Sequence, residues 1–150
     1  MRVLIQRVSQ ADVKIEGQVH GKIERGLVIL TGIEEADTEE DSQWLAQKIA
    51  KIRLFEDGAA PINADLATVN GRLLVISQFT LHASTKKGNR PSFIRAARPE
   101  KARALYHHFM DLLEQLTGNK VERGVFGANM QVSLTNDGPV TIWMDSKARE

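Results

Sequence analysis

Three uncharged polar side chains, Ser77, Gln78 and Thr80, come directly after an unbroken apolar run, Leu73–Ile76, that Asn70–Gly71 opens. A run of that length behind an Asn-Gly turn predicts a strand buried on both faces. Its end would present hydroxyls and an amide on a rigid platform. On a continued strand, alternation puts Gln78 and Thr80 on one face and Ser77, Phe79 and Leu81 on the other. Thr80 can act as a nucleophile only with a base beside it. His82 is the nearest candidate, on Thr80's side of an extended chain. The bland alternative is that these groups merely satisfy the strand end.

A second constellation is Asn136–Asp137–Gly138–Pro139. Gly138 has no side chain, so another group can approach its backbone closely. Pro139 brings no N–H, which leaves carbonyls as the polar features of the step. The bond admits cis as well as trans geometry, but the residues alone favour an ordinary turn before a last strand. The usual catalytic sets, GxSxG, a Walker loop, GxGxxG and HExxH, do not occur. The chain has no cysteine, which excludes thiol nucleophiles, thiolate metal sites and disulfides. His107 and His108 are adjacent, point in different directions and do not share a metal. No metal and no cofactor is expected.

The elements that must position these residues follow from pattern. Val3 and Ile5 alternate in an opening strand that carries Arg7. Val13, Ile15, Glu16–Gly17 and Val19 predict a hairpin, with a second turn near His20–Gly21. Leu27–Leu30, between Gly26 and Gly32, reads as another buried strand. Asp37 or Thr38 caps a helix whose first turn holds Glu39, Glu40 and Asp41, the charge sign favoured there. Leu45, Ile49 and Ile52 give that helix its apolar face, so the acidic cluster is read as a helix start rather than a metal site. Glu56–Asp57–Gly58 closes the segment, and an irregular stretch through Pro61 leads to the central strand. His82–Pro91 reads as a loop, and Pro99 opens a second helix. Ala102, Leu105, Phe109, Leu112, Leu113 and Leu116 supply its apolar face, and Gly118 stops it. Met130, Val132 and Leu134, then Val140, Ile142 and Met144, predict two closing strands. The order indicates one α/β domain over 1–150 with helices covering a sheet.

A chain of 150 residues is long enough to bury roughly 68–70% of its unfolded surface without a covalent staple. No segment approaches the ~18 apolar residues of a membrane span, and the start carries no signal-peptide pattern. A soluble, cytoplasmic protein is expected. The formal net charge is +1, yet the charges are segregated. Lys86, Lys87, Arg90, Arg95, Arg98, Lys101 and Arg103 lie within 86–103, opposed only by Glu100. Such a region suits contact with several phosphates, although a solvated surface explains charge alone equally well.

SQFTL at Ser77–Leu81, KGNRPSF at Lys87–Phe93 and NDGPVT at Asn136–Thr141, with the opening MRVLIQRV and the segment RPEKARALY, together closely resemble the D-aminoacyl-tRNA deacylase family. The resemblance covers essentially the whole chain, with the motifs in the family's order and spacing. It implies hydrolysis of the ester joining a D-amino acid, or mischarged glycine, to tRNA, with L esters spared. It implies a β/β/α layered single domain with two main helices on the outer face, forming a homodimer with the active site at the subunit interface. Ser77, Gln78, Phe79 and Thr80 then line the catalytic site, with backbone N–H groups near Phe79 and Thr80 as oxyanion donors and the terminal ribose 2′-OH assisting. Gly138–Pro139, cis in the family and held by Arg7, would enforce chirality in the partner's site. Lys86, Lys87, Arg90 and Arg95 would bind tRNA phosphates. Two other classes stay open from the residues: an esterase with Thr80 as nucleophile, and a noncatalytic RNA-binding or interaction module.

Overall fold

The computed structural model describes residues 1–150. In chain order the elements are β1 (Arg2–Ile15), β2 (Gln18–Ile23), β3 (Gly26–Gly32), α1 (Glu39–Lys51), β4 (Arg72–Ser77), a 3-10 turn (Phe79–His82), α2 (Pro99–Thr117), β5 (Glu122–Arg123) and β6 (Gln131–Asp145). β1 organises the sheet. Along one edge it pairs with β3 over Arg2–Val8 and then with β2 over Ala11–Ile15; the other edge takes β6 from Arg2 to Lys14, all antiparallel. β3, β4 and β5 run parallel, so the sheet is mixed. Because β2 and β3 share one edge of β1 in succession, β1 must bend between them. β2 thereby comes over against β4 and β5, giving the sheet a barrel-like closure.

This closure produces two apolar cores. Val3, Ile5, Leu27, Ile29, Leu73 and Val75 pack against both helices. Val8, Val13, Ile23, Val28, Leu74 and Ile76 fill the space on the sheet's other side. All four residues of Leu73–Ile76 are buried, as a strand covered on both faces requires. Thr38 caps α1, and its N–H donates to Asp41 Oδ2 at 2.8 Å. Pro99 occupies the first turn of α2, and Gly118, at φ 68°, closes it in the left-handed region. Tyr106 also belongs to the buried face of α2, and its hydroxyl donates to the Val75 carbonyl at 2.7 Å, tying helix to strand.

The structure departs from the sequence reading at four places. No turn occurs at His20–Gly21; β2 runs through it, and the register shift opposite Val13/Lys14 leaves His20 as the extra residue of a bulge. The two closing strands are one strand, β6, and Asn136–Pro139 is a bulge inside it: Gln6 pairs with Thr141 but Val8 with Asn136. β4 ends at Ser77 rather than continuing to Leu81. Leu116 faces solvent, 45% exposed, because the helix face has rotated off the core by its last turn. The hairpin at Glu16–Gly17, both at positive φ, and the helix starts and stops agree with the pattern.

Gly26 stands where β3 meets the first residue of β4. A Cβ there would lie 1.9 Å from the Arg72 carbonyl oxygen, a backbone atom that cannot move without opening the parallel ladder. Gly26→Ala is expected to lower stability by at least about 2 kcal/mol, in the range of overpacked cores. The urea midpoint measures it, and an unchanged midpoint would mean that the ladder's start is pliable.

Candidate active site

The strand end turns because Gln78 leaves the ladder. Its N–H donates to the Thr31 carbonyl at 2.7 Å, beside the last pair of the β3–β4 ladder, Thr31↔Ser77. With Gln78 at φ −144° and ψ 79°, the chain enters the 3-10 turn; Leu81 N–H donates to Gln78 O at 3.2 Å and Ala83 N–H to Thr80 O at 3.0 Å. The first N–H groups of such a turn have no partner within it. Those of Phe79 and Thr80 have no backbone acceptor outside it either.

Strict alternation therefore does not extend past Ser77, yet Gln78 Nε2 still reaches Thr80 Oγ1 at 2.5 Å. An amide is not a base, so this contact does not activate the hydroxyl. His82 does not supply the base. It is buried beneath the turn at 1% exposure, and neither ring nitrogen has a hydrogen-bond partner. Its Nδ1 lies 4.0 Å from Glu34 Oε2. Glu34 in turn accepts from Arg95 at 2.8 Å. Burial opposes ionisation of Glu34, but the Arg95 bond and charge outweigh it and hold the carboxyl below its ordinary pKa.

Behind Ser77–Phe79 opens a cavity of about 570 Å³. Thr31, Ile33 and Ile76 line it from the sheet, Ala97, Ala102 and Arg103 from the region of α2, and Phe126, Gly127 and Met130 from the segment before β6. The lining is mainly apolar, which suits a flat aromatic group with few polar edges. Phe79 is 57% exposed and meets Phe93 edge-to-face at 5.1 Å.

Arg7 leaves β1 almost fully buried. Its Nε donates to Asp137 O at 2.9 Å, and Nη1 donates to Leu54 O at 2.6 Å and Pro61 O at 3.0 Å. The Gly138–Pro139 bond is cis, and both residues are exposed at the bulge of β6. Gly138 sits at φ +134°, and a Cβ on it would lie 2.8 Å from Val140 Cγ2 and 3.1 Å from Arg7 Nη2. Glycine is thus demanded by the chain's own φ and neighbours. A methyl there meets Val140 and Arg7 of the same chain. Neither Gly138 nor Pro139 lines this cavity.

The basic segment is pinned at its base by the Ser84–Ser92 pair, with bonds of 2.8 and 2.9 Å. Lys86, Lys87 and Arg90 are exposed on it. Arg95 commits Nη2 to Glu34 while its side chain stays 57% exposed. The structure thus brings Ser77, Gln78 and Phe79 to one cavity mouth, with the exposed Thr80 beside them on the turn and Arg95 linked to the turn through Glu34. It holds Arg7, Gly138 and Pro139 as a separate unit. Sequence reasoning does not reach Arg2, whose Nη1 donates to Leu81 O at 3.0 Å and whose Nε donates to Asp145 Oδ2 at 2.8 Å. Nor does it reach Glu34 or Phe126, which sit in irregular segments without periodicity; an acid at a buried strand's end was the available signal for Glu34.

A model of the family described as D-Tyr-tRNA(Tyr) deacylase matches residues 4–145. The chain is 61% identical to a D-aminoacyl-tRNA deacylase of Akkermansia muciniphila and 57% identical to one of Flavobacterium johnsoniae, each over the full length of both chains. Among solved structures it is similar to the c-Myc DNA Unwinding Element Binding Protein (TM-score 0.91, 36% identity, covering 99% of this chain and 100% of that one). It shares its fold with a probable eukaryotic D-amino acid tRNA deacylase (TM-score 0.81, 16% identity, covering 95% and 97%). The family match and the full-length relatives define a hydrolase acting on aminoacyl-tRNA esters. The chain belongs to the D-aminoacyl-tRNA deacylase family.

Burial holds the His82 imidazole below its ordinary pKa against the nearby Gly32 backbone and Glu34, with Arg2 acting in the same direction as burial. The unfolded chain therefore takes up this proton more readily than the native one. Stability is greatest with His82 neutral and falls as pH drops below about 6.5. Urea midpoints at about pH 8, 6.5 and 5 should decline in the wild type, and His82→Leu should flatten that decline while leaving the carboxylate-dependent loss at lower pH. Equal slopes in both proteins would place the titrating group elsewhere.

Proposed function

We propose that the protein hydrolyses the ester of D-aminoacyl-tRNA and of mischarged glycyl-tRNA, releasing the free amino acid and tRNA, and spares L-aminoacyl-tRNA. The observation that carries this reading is a pair of unpartnered backbone N–H groups, that of Phe79 at the mouth of an apolar cavity and that of Thr80 next to it on the turn, with no nucleophile–base couple beside them. An aminoacyl ester is already activated. Water adds to its carbonyl carbon, the two N–H groups stabilise the oxyanion, and the ribose 3′-oxygen leaves and takes a proton. The terminal 2′-OH, adjacent to the reacting ester, assists the attack. The cavity accommodates the terminal adenine, with Phe126 and Met130 against its faces. Ser77 and Gln78 position this end of the substrate.

Chirality is assigned to Gly138–Pro139 acting in the site of a second copy. The step is exposed and lies away from the cavity of its own subunit, and Arg7 holds it, all of which supports a homodimeric enzyme. A wall of backbone atoms beside Cα rejects an L side chain by clash, whereas glycine, having no side chain, passes. Lys86, Lys87, Arg90 and the solvent-facing part of Arg95 are assigned to phosphates near the acceptor end. No helix is long and apolar enough to cross a membrane, and a tRNA substrate supports action in the cytoplasm.

Deacylation assays on D-tyrosyl-, L-tyrosyl- and glycyl-tRNA test the reading directly. The D and glycyl esters should be cleaved and the L ester spared, and Thr80→Ala should keep turnover within about tenfold of wild type. A loss of about 10³-fold or more in Thr80→Ala would install Thr80 as the nucleophile. Tight tRNA binding without turnover of any ester would leave a binding module. Replacing Lys86 and Lys87 with alanine should flatten the salt dependence of tRNA binding by about 0.7–0.9 in log–log slope for each phosphate that is no longer neutralised. An unchanged slope would move the RNA path elsewhere.

A further inference from the structure

We infer that the loop 53–64, with its exposed tip, is a positioning element for D-over-L selectivity: Asp57 and Asn63 fix the carbonyls that orient Arg7, and Arg7 fixes Gly138–Pro139. The inference rests on the reading of Gly138–Pro139 as the chirality wall. Arg7 has three backbone acceptors, and two of them, Leu54 O and Pro61 O, belong to this loop. The third, Asp137 O, is in the bulge itself. A nearly buried guanidinium needs fixed acceptors, so wherever the loop carbonyls sit, the guanidinium plane follows. Its Nη2 stands 3.1 Å from where a Cβ on Gly138 would be, so a shift of that plane is felt at the step at once.

Leu54 is anchored by burial, next to Phe55, whose backbone pairs with that of Ala64 at 2.8 and 3.0 Å. Pro61 has no such anchor. It is exposed, as are Glu56–Ala59 and Ile62. What holds the loop tip is polar. Asp57 Oδ1 accepts the N–H groups of Ala59 and Ala60 at 3.0 and 3.1 Å, while Oδ2 accepts from Asn63 Nδ2. Arg53 brackets Asn63 through its backbone carbonyl and its side-chain oxygen. Those amide donors, Ala59 first, hold the Asp57 carboxyl below its ordinary pKa. Asp57 and Asn63 line no part of the cavity. Their effect on the reaction passes through Pro61 O and Arg7.

Rates on D-, L- and glycyl-tRNA separate this role from a merely structural one. Asp57→Ala and Asn63→Ala should each lower the D:L ratio of kcat/KM by about tenfold or more, the scale of a small displacement at a reacting centre. Glycyl-tRNA, which meets no wall, should stay within about threefold of wild type. Asp57→Asn, which keeps an oxygen for the Ala59 and Ala60 N–H groups, should recover most of the ratio. Asp65 caps Thr68 through bonds of 2.9 and 2.8 Å in the following turn and touches none of the Arg7 acceptors, so Asp65→Ala should leave the ratio unchanged. An unchanged ratio in both alanine variants of a discriminating wild type overturns the inference alone. A parallel loss on all three esters, or an equal fall in Asp65→Ala, overturns it too. A wild type that cleaves D and L esters equally overturns the wall reading itself, and the inference with it.

Discussion

The parallel ladder between β3 and β4 runs from Gly26↔Arg72 to Thr31↔Ser77, and the site depends on where it ends. One more hydrogen bond, Gln78 N–H to Thr31 O, extends the pairing while the Gln78 backbone already leaves the extended region. The next N–H groups then point out of the ladder instead of along it. Had the strand continued, Phe79 and Thr80 would have been available for pairing with a neighbouring strand. The tight turn frees them, and the fully buried Leu73–Ile76 behind it keeps the freed groups from drifting. Donors freed this way, assigned above to the oxyanion, need no side chain to hold them.

The turn is also clamped from both sides by charge. Arg2 donates to Leu81 O from β1, and the same side chain is held by Asp145 and lies 5.6 Å from the Trp143 ring of β6. From the other side Glu34 joins the end of β3 to Arg95 of the basic segment, with His82 lying 4.0 Å away beneath the turn. The segment assigned to RNA and the turn assigned to chemistry thus meet at one buried carboxylate. An ion pair in such a place is weak as a source of stability but strong as a constraint on register, since removing Arg95 leaves the buried carboxylate without compensation.

Patterns that depend on near neighbours were legible in the chain. The buried run Leu73–Ile76, the Glu16–Gly17 hairpin, the Thr38 cap, and Pro99 and Gly118 at the ends of α2 each follow from residues within a few positions, and each is where the pattern puts it. What escaped depends on distant partners. His20 reads as a turn residue beside Gly21, but β1 offers it a bulge instead. Asn136–Pro139 has turn composition, yet β1 pairs with the chain on both sides of it and makes one strand of two. The residues of the site motif were legible as a group because they are contiguous. Their geometry was not, because alternation assumes a strand that has already ended at Ser77. Arg7 acquires its place only from carbonyls at Leu54, Pro61 and Asp137, far apart in sequence and invisible to any local rule.

A wall made of backbone suits stereochemical exclusion better than one made of side chains. A side chain pressed by the wrong enantiomer escapes by changing rotamer, and the discrimination collapses to the small cost of that change. A peptide step has no such freedom when proline fixes one dihedral and a buried guanidinium holds the preceding carbonyl. Rejection then approaches the full cost of a clash, which exceeds what the absence of one favourable interaction supplies. The same stiffness explains why glycine must occupy position 138: its φ of +134°, with Val140 and Arg7 at close range, leaves no room for a Cβ even before a substrate is present. Selectivity of this kind is a property of the whole frame that immobilises the step. In the proposed reading the bulge in β6, the arginine on β1 and the loop before β4 are its separate members, brought together only by the fold.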